Sequence, residues 1–344
     1  EKGQVMEQKT ERKHVWTNTA VVCLVALLCC FLWGSAFPGI KIGYGIFDIS
    51  GEQTGLQIIF AGTRFFLAGI MAVVIGSFSH KRPLFPKKTS WLPILHLSLL
   101  QTTLQYFFFY IGLGKTSGVK ASIIEALNVF VALFVACLLF KQEKLKQNKI
   151  IGSILGFAGV FLVEIWGSRG TGSSLGGIGI GEICVFISTV AYAFSSVYLR
   201  KYSEQEEPFV LSGYQFIVGG ITLILLGFLM CIFLPASLGS GYAAMTTGQV
   251  LGAVASHMAG GFFSLKGCGI VLYLAMVSAV AYSLWGVLLK YNPVSKVAVF
   301  GFTTPIFGVL LSAILLREAD TLRIGVLVIS LILVSIGTLM AQKN

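Results

Sequence analysis

Two charged residues stand where the chain is otherwise apolar. Arg64 lies in the run IIFAGTRFFLAGIM and Glu125 in VKASIIEALNVF. A charge inside hydrocarbon is costly, so such a residue faces a partner or a water-filled cavity. In one reading Arg64 binds a carboxylate or phosphate through its fork of N–H donors, and Glu125 takes a proton or an amine of the substrate. In the other the two neutralise each other as a structural pair.

A polar and aromatic set stands at similar positions in other apolar runs. In the first half it comprises Trp33, Ser35, Gln101, Gln105, Tyr106 and Asn128. In the second half it comprises Tyr192, Ser195, Tyr214, Gln215, Tyr282, Trp285 and Thr303. Gln101 and Gln105 are one helical turn apart and share a face. Aromatic rings with hydroxyl and amide neighbours suit an amphiphilic ligand, and an aromatic wall can hold a cation. Single Ser, Thr and Gln residues also serve as glue between membrane helices. His96, near the end of its run, reads as a hydrogen-bonded interfacial residue. Glu164 and Glu182 read as solvated, and Glu143 and Glu318 as partners of nearby Lys or Arg at the membrane edge.

Several chemistries are excluded. Gly114-Lys115-Thr116 tempts a phosphate-loop reading, but the required glycine is replaced by Phe109. No HExxH, serine elbow or Asp-rich metal motif occurs, so no catalytic residue, metal or cofactor is expected. The seven cysteines lack zinc-ligand spacing and sit mostly in apolar runs, as small buried side chains do.

These residues are held by elements that composition identifies. Of the 344 residues, 56% are hydrophobic and 11% charged, with mean hydropathy +0.85. Soluble proteins carry about 25% charged residues. The net charge of +11 is gathered in short clusters between apolar runs, which indicates a membrane surface rather than nucleic acid. Ten runs are long enough to cross a bilayer: 19–43, 55–78, 91–112, 119–140, 149–166, 178–199, 209–234, 269–289, 294–316 and 323–340. The first is too long to be a cleaved signal. Segment 1–18 is then a tail, 19–166 and 178–341 are five-span units, and 167–177 connects them. A longer extracytoplasmic loop, 235–267, reads as a surface helix or a flexible loop.

The two units repeat each other. Residues 115–143 land on 290–318 without a gap, so that Lys115 meets Lys290 and Glu143 meets Glu318. Arg64-Phe65 aligns with Gln215-Phe216, and Glu125 with Phe300, so the second unit lacks both charges. With the N-terminus inside, 17 Lys and Arg fall in cytoplasmic segments and 7 outside, so both termini are cytoplasmic. Five spans per unit is odd, so the units are inverted. Arg64 then lies about 14 Å, and Glu125 about 9 Å, from the outer ends of their spans. The fold class is all-α integral membrane, ten transmembrane helices as two inverted five-helix repeats.

Four stretches carry a family resemblance: Phe31-Leu32-Trp33-Gly34-Ser35 with Lys41, Arg64 through Ala68, Ala281-Tyr282-Ser283-Leu284-Trp285 through Lys290, and Thr304-Pro305-Ile306-Phe307 with Glu318. In that order, on a five-plus-five repeat, they resemble the EamA type of the drug/metabolite transporter superfamily. Phe130 departs from the pattern, standing where the repeat places Pro305. The resemblance implies an alternating-access carrier in the cytoplasmic membrane that moves a small metabolite, an amino acid or related amphiphilic solute, outward. Its partners would be that solute and the bilayer; a homodimer stays open. Two other classes make different demands on the sequence. A membrane enzyme acting on lipid-linked substrates needs clustered acids or histidines at one face, and His14, His80, His96 and His257 are scattered. A non-transporting sensor needs a further soluble domain.

Overall fold

The computed structural model describes residues 15–135, 137, 146–166, 179–203, 205–238, 246–292, 297, 299–318 and 323–342. The connecting segment 167–177 and Glu143 lie outside these, as does the side chain of Glu164. No strand occurs among the described residues. The helices are α1 (Thr19–Ile46), α2 (Thr54–His80), α3, α4, α5 (Gln147–Trp166), α6 (Ile180–Ser203), α7 (Pro208–Phe233), α8 (Thr247–Phe262), α9 (Leu265–Tyr291), α10 (Thr303–Leu315) and α11 (Ile324–Gln342). By length and composition α1, α2, α6, α7 and α9 can each cross a membrane. Shorter apolar helices, α5, α10 and α11 among them, complete the set.

Two helices are not regular. α3 is α-helical over Trp91–Leu97 and Gln105–Lys115 but π-helical over Ser98–Leu104. α4 comes in two pieces, Gly118–Glu125 and Asn128–Phe134. Between them Ala126 N–H bonds the Ile123 carbonyl and Leu127 N–H that of Ile124, so the backbone tightens by one residue. This break needs no proline, although Phe130 stands where Pro305 would be. α10 shows the same step, a 3-10 turn over Val299–Phe302 before Thr303. The turns fall at matching places in the two aligned stretches.

The loop 235–267 holds α8. A reciprocal cap of Thr246 and Gln249 starts it, satisfying two otherwise orphaned backbone N–H groups. Its Val250, Val254, Met258 and Gly261 are buried, and Gly261 abuts Phe47. The eighth span accordingly begins at Leu265, earlier than the apolar run suggested.

α2 and α7 form the most extensive contact. Lipid offers apolar groups as good a solvent as the protein interior does, so close backbone approach and dispersion must hold such helices together. Glycines spaced seven apart on both helices allow that approach: Gly55, Gly62 and Gly69 against Gly227, Gly220 and Gly213. A Cβ added at Gly62 would stand 2.7 Å from the Gly220 carbonyl oxygen, and one at Gly69 2.6 Å from that of Gly213. α5 and α11 meet similarly, with Gly152 and Gly156 of the small-x-x-x-small stretch against Gly337. α1 packs on α9 and α10, α6 on α3 and α4, and α4 on α10.

Ion pairs sit at the helix ends. Lys115 at the end of α3 meets Glu52 at 3.2 Å, just ahead of α2. Lys290 at the end of α9 meets Glu207 at 2.6 Å, just ahead of α7. Glu182, expected to be solvated, is nearly buried, accepting from Thr116 at 2.6 Å and facing Lys120 at 3.7 Å. Glu318 places its two oxygens 3.0 Å from the N–H groups of Gly118 and Val119. There it caps the first piece of α4, where a carboxylate complements the positive helix end. His96 bonds the Tyr202 hydroxyl at 3.0 Å.

Replacing Gly62 by Ala pushes a methyl into backbone that cannot move aside. The expected loss is about 1–3 kcal/mol, the range for overpacking, read as a lower melting temperature in detergent. Gly252→Ala on α8, where an added Cβ meets nothing within 4 Å, should leave the melt unchanged or raised.

Candidate functional site

The site forms where α2, α3, α7 and α9 converge. Phe65 and Phe216 meet at 5.2 Å, between the Gly62–Gly220 and Gly69–Gly213 approaches. Tyr106 lies tilted against Phe65 at 4.1 Å, and Tyr282 stands edge-on to Phe216 at 5.1 Å. The hydroxyls of Tyr106 and Tyr282 bond each other at 2.5 Å. Trp33 closes this wall, 5.3 Å from Tyr282 and 5.0 Å from Trp285.

Arg64 is 2% exposed. Its Nη1 donates to the Tyr110 hydroxyl and its Nη2 to that of Ser278, both at 2.6 Å. The guanidinium lies 4.6 Å from the Phe65 ring centre and within 6 Å of Tyr106 and Tyr110. Its Nε has no hydrogen-bond partner among the described residues. Tyr110 is itself held by α1, since Tyr44 donates to its carbonyl at 2.9 Å. A hydroxyl that accepts from a guanidinium turns its own proton elsewhere, so Tyr110 and Ser278 can each donate to an anion beside Arg64.

The structural pair of Arg64 with Glu125 is not formed: the arginine contacts are hydroxyls and rings. Glu125 sits at the break in α4. The Thr189 and Ser188 hydroxyls stand 3.4 and 3.5 Å from its carboxylate. Both give their closer bonds to the Val185 carbonyl, at 2.8 and 2.7 Å. No cation pairs with Glu125 among the described residues. Asn128 lies one turn on, and Tyr192 lies near both Glu125 and Tyr106.

Gln215 donates to Gln101 at 3.0 Å, both fully buried. Gln105 is buried one turn further along α3. Ser35 accepts from Tyr273 at 2.5 Å and donates to the Leu32 carbonyl. Ser195 bonds the Tyr192 carbonyl and Thr303 that of Phe300. Tyr214 stands apart from the central group, donating to the Leu84 carbonyl at 3.2 Å and packing near Trp91.

Tyr110 and Ser278 escaped the sequence reading, although a signal existed. Tyr110 continues the one-turn series Thr102, Tyr106, Tyr110, and Ser278 lies one turn before Tyr282. Ser188 and Thr189 gave no such signal; only packing of α6 on α4 brings them to Glu125.

The EamA-like transporter family model matches residues 20–165 and again 179–341. An uncharacterized transporter of Archaeoglobus fulgidus is 29% identical over 301 residues, covering 86% of this chain and 89% of its own. The uncharacterized transporter YvbV of Bacillus subtilis is 26% identical over 87% of this chain and 86% of its own. The uncharacterized inner membrane transporter YedA of Escherichia coli is 24% identical over 89% and 88%. One crystal structure overlays with TM-score 0.58 at 16% identity, over 93% of this chain and 97% of that one, a likeness of fold. Two matches of one family model, end to end along a bundle of apolar helices, lead to one conclusion: the chain belongs to the EamA-like transporter family, membrane transporters and not enzymes.

Proposed function

We propose that this protein is a secondary carrier that moves a small amphiphilic metabolite, an amino acid or a related solute, outward across the cytoplasmic membrane by alternating access. The observation that carries the reading is Arg64, a buried guanidinium with two hydroxyl partners and an unpartnered Nε. A buried charge is costly without a counter-charge. An anionic substrate would supply one, held by Arg64, Tyr110 and Ser278 against the aromatic wall. Trp33, Tyr106, Tyr282 and Trp285 serve its apolar part, with Ser35, Asn128, Tyr192, Ser195 and Thr303 around them.

The alternating step rests on ten spans arranged as two inverted five-helix units, 19–166 and 178–341, with both termini cytoplasmic. The packing supports this arrangement. If α1, α2, α3, α4 and α5 correspond to α6, α7, α9, α10 and α11, the contact of α3 with α6 is repeated by α9 with α1. That of α4 with α6 is repeated by α10 with α1. The ion pairs agree too: Lys115–Glu52 and Lys290–Glu207 occupy corresponding places at opposite ends of the bundle. Opening one while the other holds would expose the centre to one side at a time. Glu125, without a cationic partner, is the coupling candidate for protons.

Counterflow into proteoliposomes loaded with a mixed metabolite pool, read by mass spectrometry, should show exchange of one solute class; no exchange by folded protein counts against a carrier. Arg64→Gln should weaken binding of that solute about 10- to 100-fold, the worth of charge-assisted hydrogen bonds at about 1.5–3 kcal/mol, with the melting profile retained; unchanged affinity sinks the anion role. Glu125→Gln should abolish pH-driven flux and spare exchange. Loss of both, or of neither, removes it as the coupling group.

A further inference from the structure

The repeat gives Arg64 a neutral counterpart, Gln215. Arg64 precedes Phe65 and Gln215 precedes Phe216, and those two rings touch. From there Arg64 reaches Ser278 on α9, while Gln215 reaches Gln101 on α3, the helix corresponding to α9. The same local geometry has thus been built twice, once around a cation and once around a carboxamide.

The carboxamide arm is buried and incompletely bonded. Thr102 and Gln215 are 0% exposed, Gln101 1% and Gln105 3%. Three of their oxygens, Thr102 Oγ1, Gln105 Oε1 and Gln215 Oε1, have no partner. Buried polar atoms are nearly always paired, and three unpaired atoms in one cluster are unusual. Gln101 and Thr102 also sit in the π-helical segment of α3, a distortion often found at functional sites.

We propose that Gln101, Thr102, Gln105 and Gln215 form the second arm of the binding site, selecting ligands that carry an amino or hydroxyl donor besides the anionic group held at Arg64. The chemistry of the unpaired atoms assigns the roles. At Arg64 the unpaired atom is a donor, Nε, which calls for an acceptor. In the amide arm carboxamide oxygens are unpaired; they repel an anion and accept from N–H, O–H or ammonium. A site built to accept such a donor rejects the analogue that lacks it, because its own groups then stay unpaired. The inference rests on the anion reading of Arg64. A purely structural amide pair joining α3 to α7 would change thermal stability but not the ranking of ligands.

The test uses the purified full chain in detergent and two matched probe series: alanine, lactate and propionate; phenylalanine, phenyllactate and 3-phenylpropionate. Affinities come from ligand-induced thermal shifts. In at least one series the amino or hydroxy member should bind about tenfold or more tightly than the unsubstituted acid. The double change Gln101→Leu with Gln215→Leu, which removes both partners of the amide bond, should erase that preference and leave the affinity for the unsubstituted acid. Gln105→Met, which removes one unpaired oxygen and leaves the Gln215–Gln101 bond in place, should reduce the preference and serves if the double variant does not fold. Arg64→Gln should weaken every member. Equal binding within each series, or a preference that survives the glutamine changes, overturns the second arm and leaves Arg64 standing. No binding of any acid to the parent protein overturns the anion reading and this inference with it.

Discussion

The close approach of α2 and α7 is the constraint on which the centre of this protein depends. Between apolar helices in lipid there is little hydrophobic gain from association. What brings the backbones together is the absence of side chains at Gly55, Gly62 and Gly69 on one helix and Gly213, Gly220 and Gly227 on the other. The seven-residue spacing keeps these glycines on one stripe, since two turns of helix return to nearly the same face. Phe65 and Phe216 lie within that stripe's span, and their neighbours Arg64 and Gln215 are thereby aimed into α9 and α3. The bonds of Arg64 to Ser278 and of Gln215 to Gln101 follow from this backbone geometry.

The centre is polar at an energetic cost that packing must offset. A guanidinium, the side chains of Gln101, Thr102, Gln105 and Gln215 and a half-buried carboxylate sit among buried and half-buried rings. Hydroxyls from two different helices, Tyr110 on α3 and Ser278 on α9, disperse the charge of Arg64 without cancelling it. This differs in kind from the helix ends, where charges are matched: Glu52 with Lys115, Glu207 with Lys290, Glu182 with Lys120. Charges that fasten elements are paired here, and Arg64 at the centre has no carboxylate partner among the described residues. That contrast is the physical argument for a ligand at the centre.

Irregular backbone occurs where the polar atoms do. The tightened turn after Glu125 and the π-helical stretch around Gln101 lie in helices whose neighbours are other helices. At membrane depth such backbone survives only when protein or a wet cavity surrounds it. Pro305 advertised one such place in the sequence. Its counterpart in α4 has no proline, and the step arises from chain geometry alone.

Much of this was legible without coordinates. Apolar runs of bilayer length mark helices because the backbone must bond to itself in lipid. The gapless match of 115–143 with 290–318 marked the repeat, and a lone Arg64 in an apolar run marked the centre. The glycines spaced by seven were equally visible, but the helix they meet was not. Side-chain partnership was not legible. Sequence spacing puts Arg64 and Glu125 at similar depth with opposite charge, yet one turns to Tyr110 and Ser278 and the other to Thr189, because rotation of each helix about its axis is set by packing against its neighbours. Tyr214, with the composition of a cavity residue, turns toward Leu84 for the same reason. Sequence determined which segments are helices, how they repeat and which residues are out of place in lipid. The tertiary structure decided which of those residues meet, since contact depends on helix azimuth, a quantity fixed between helices and not within one.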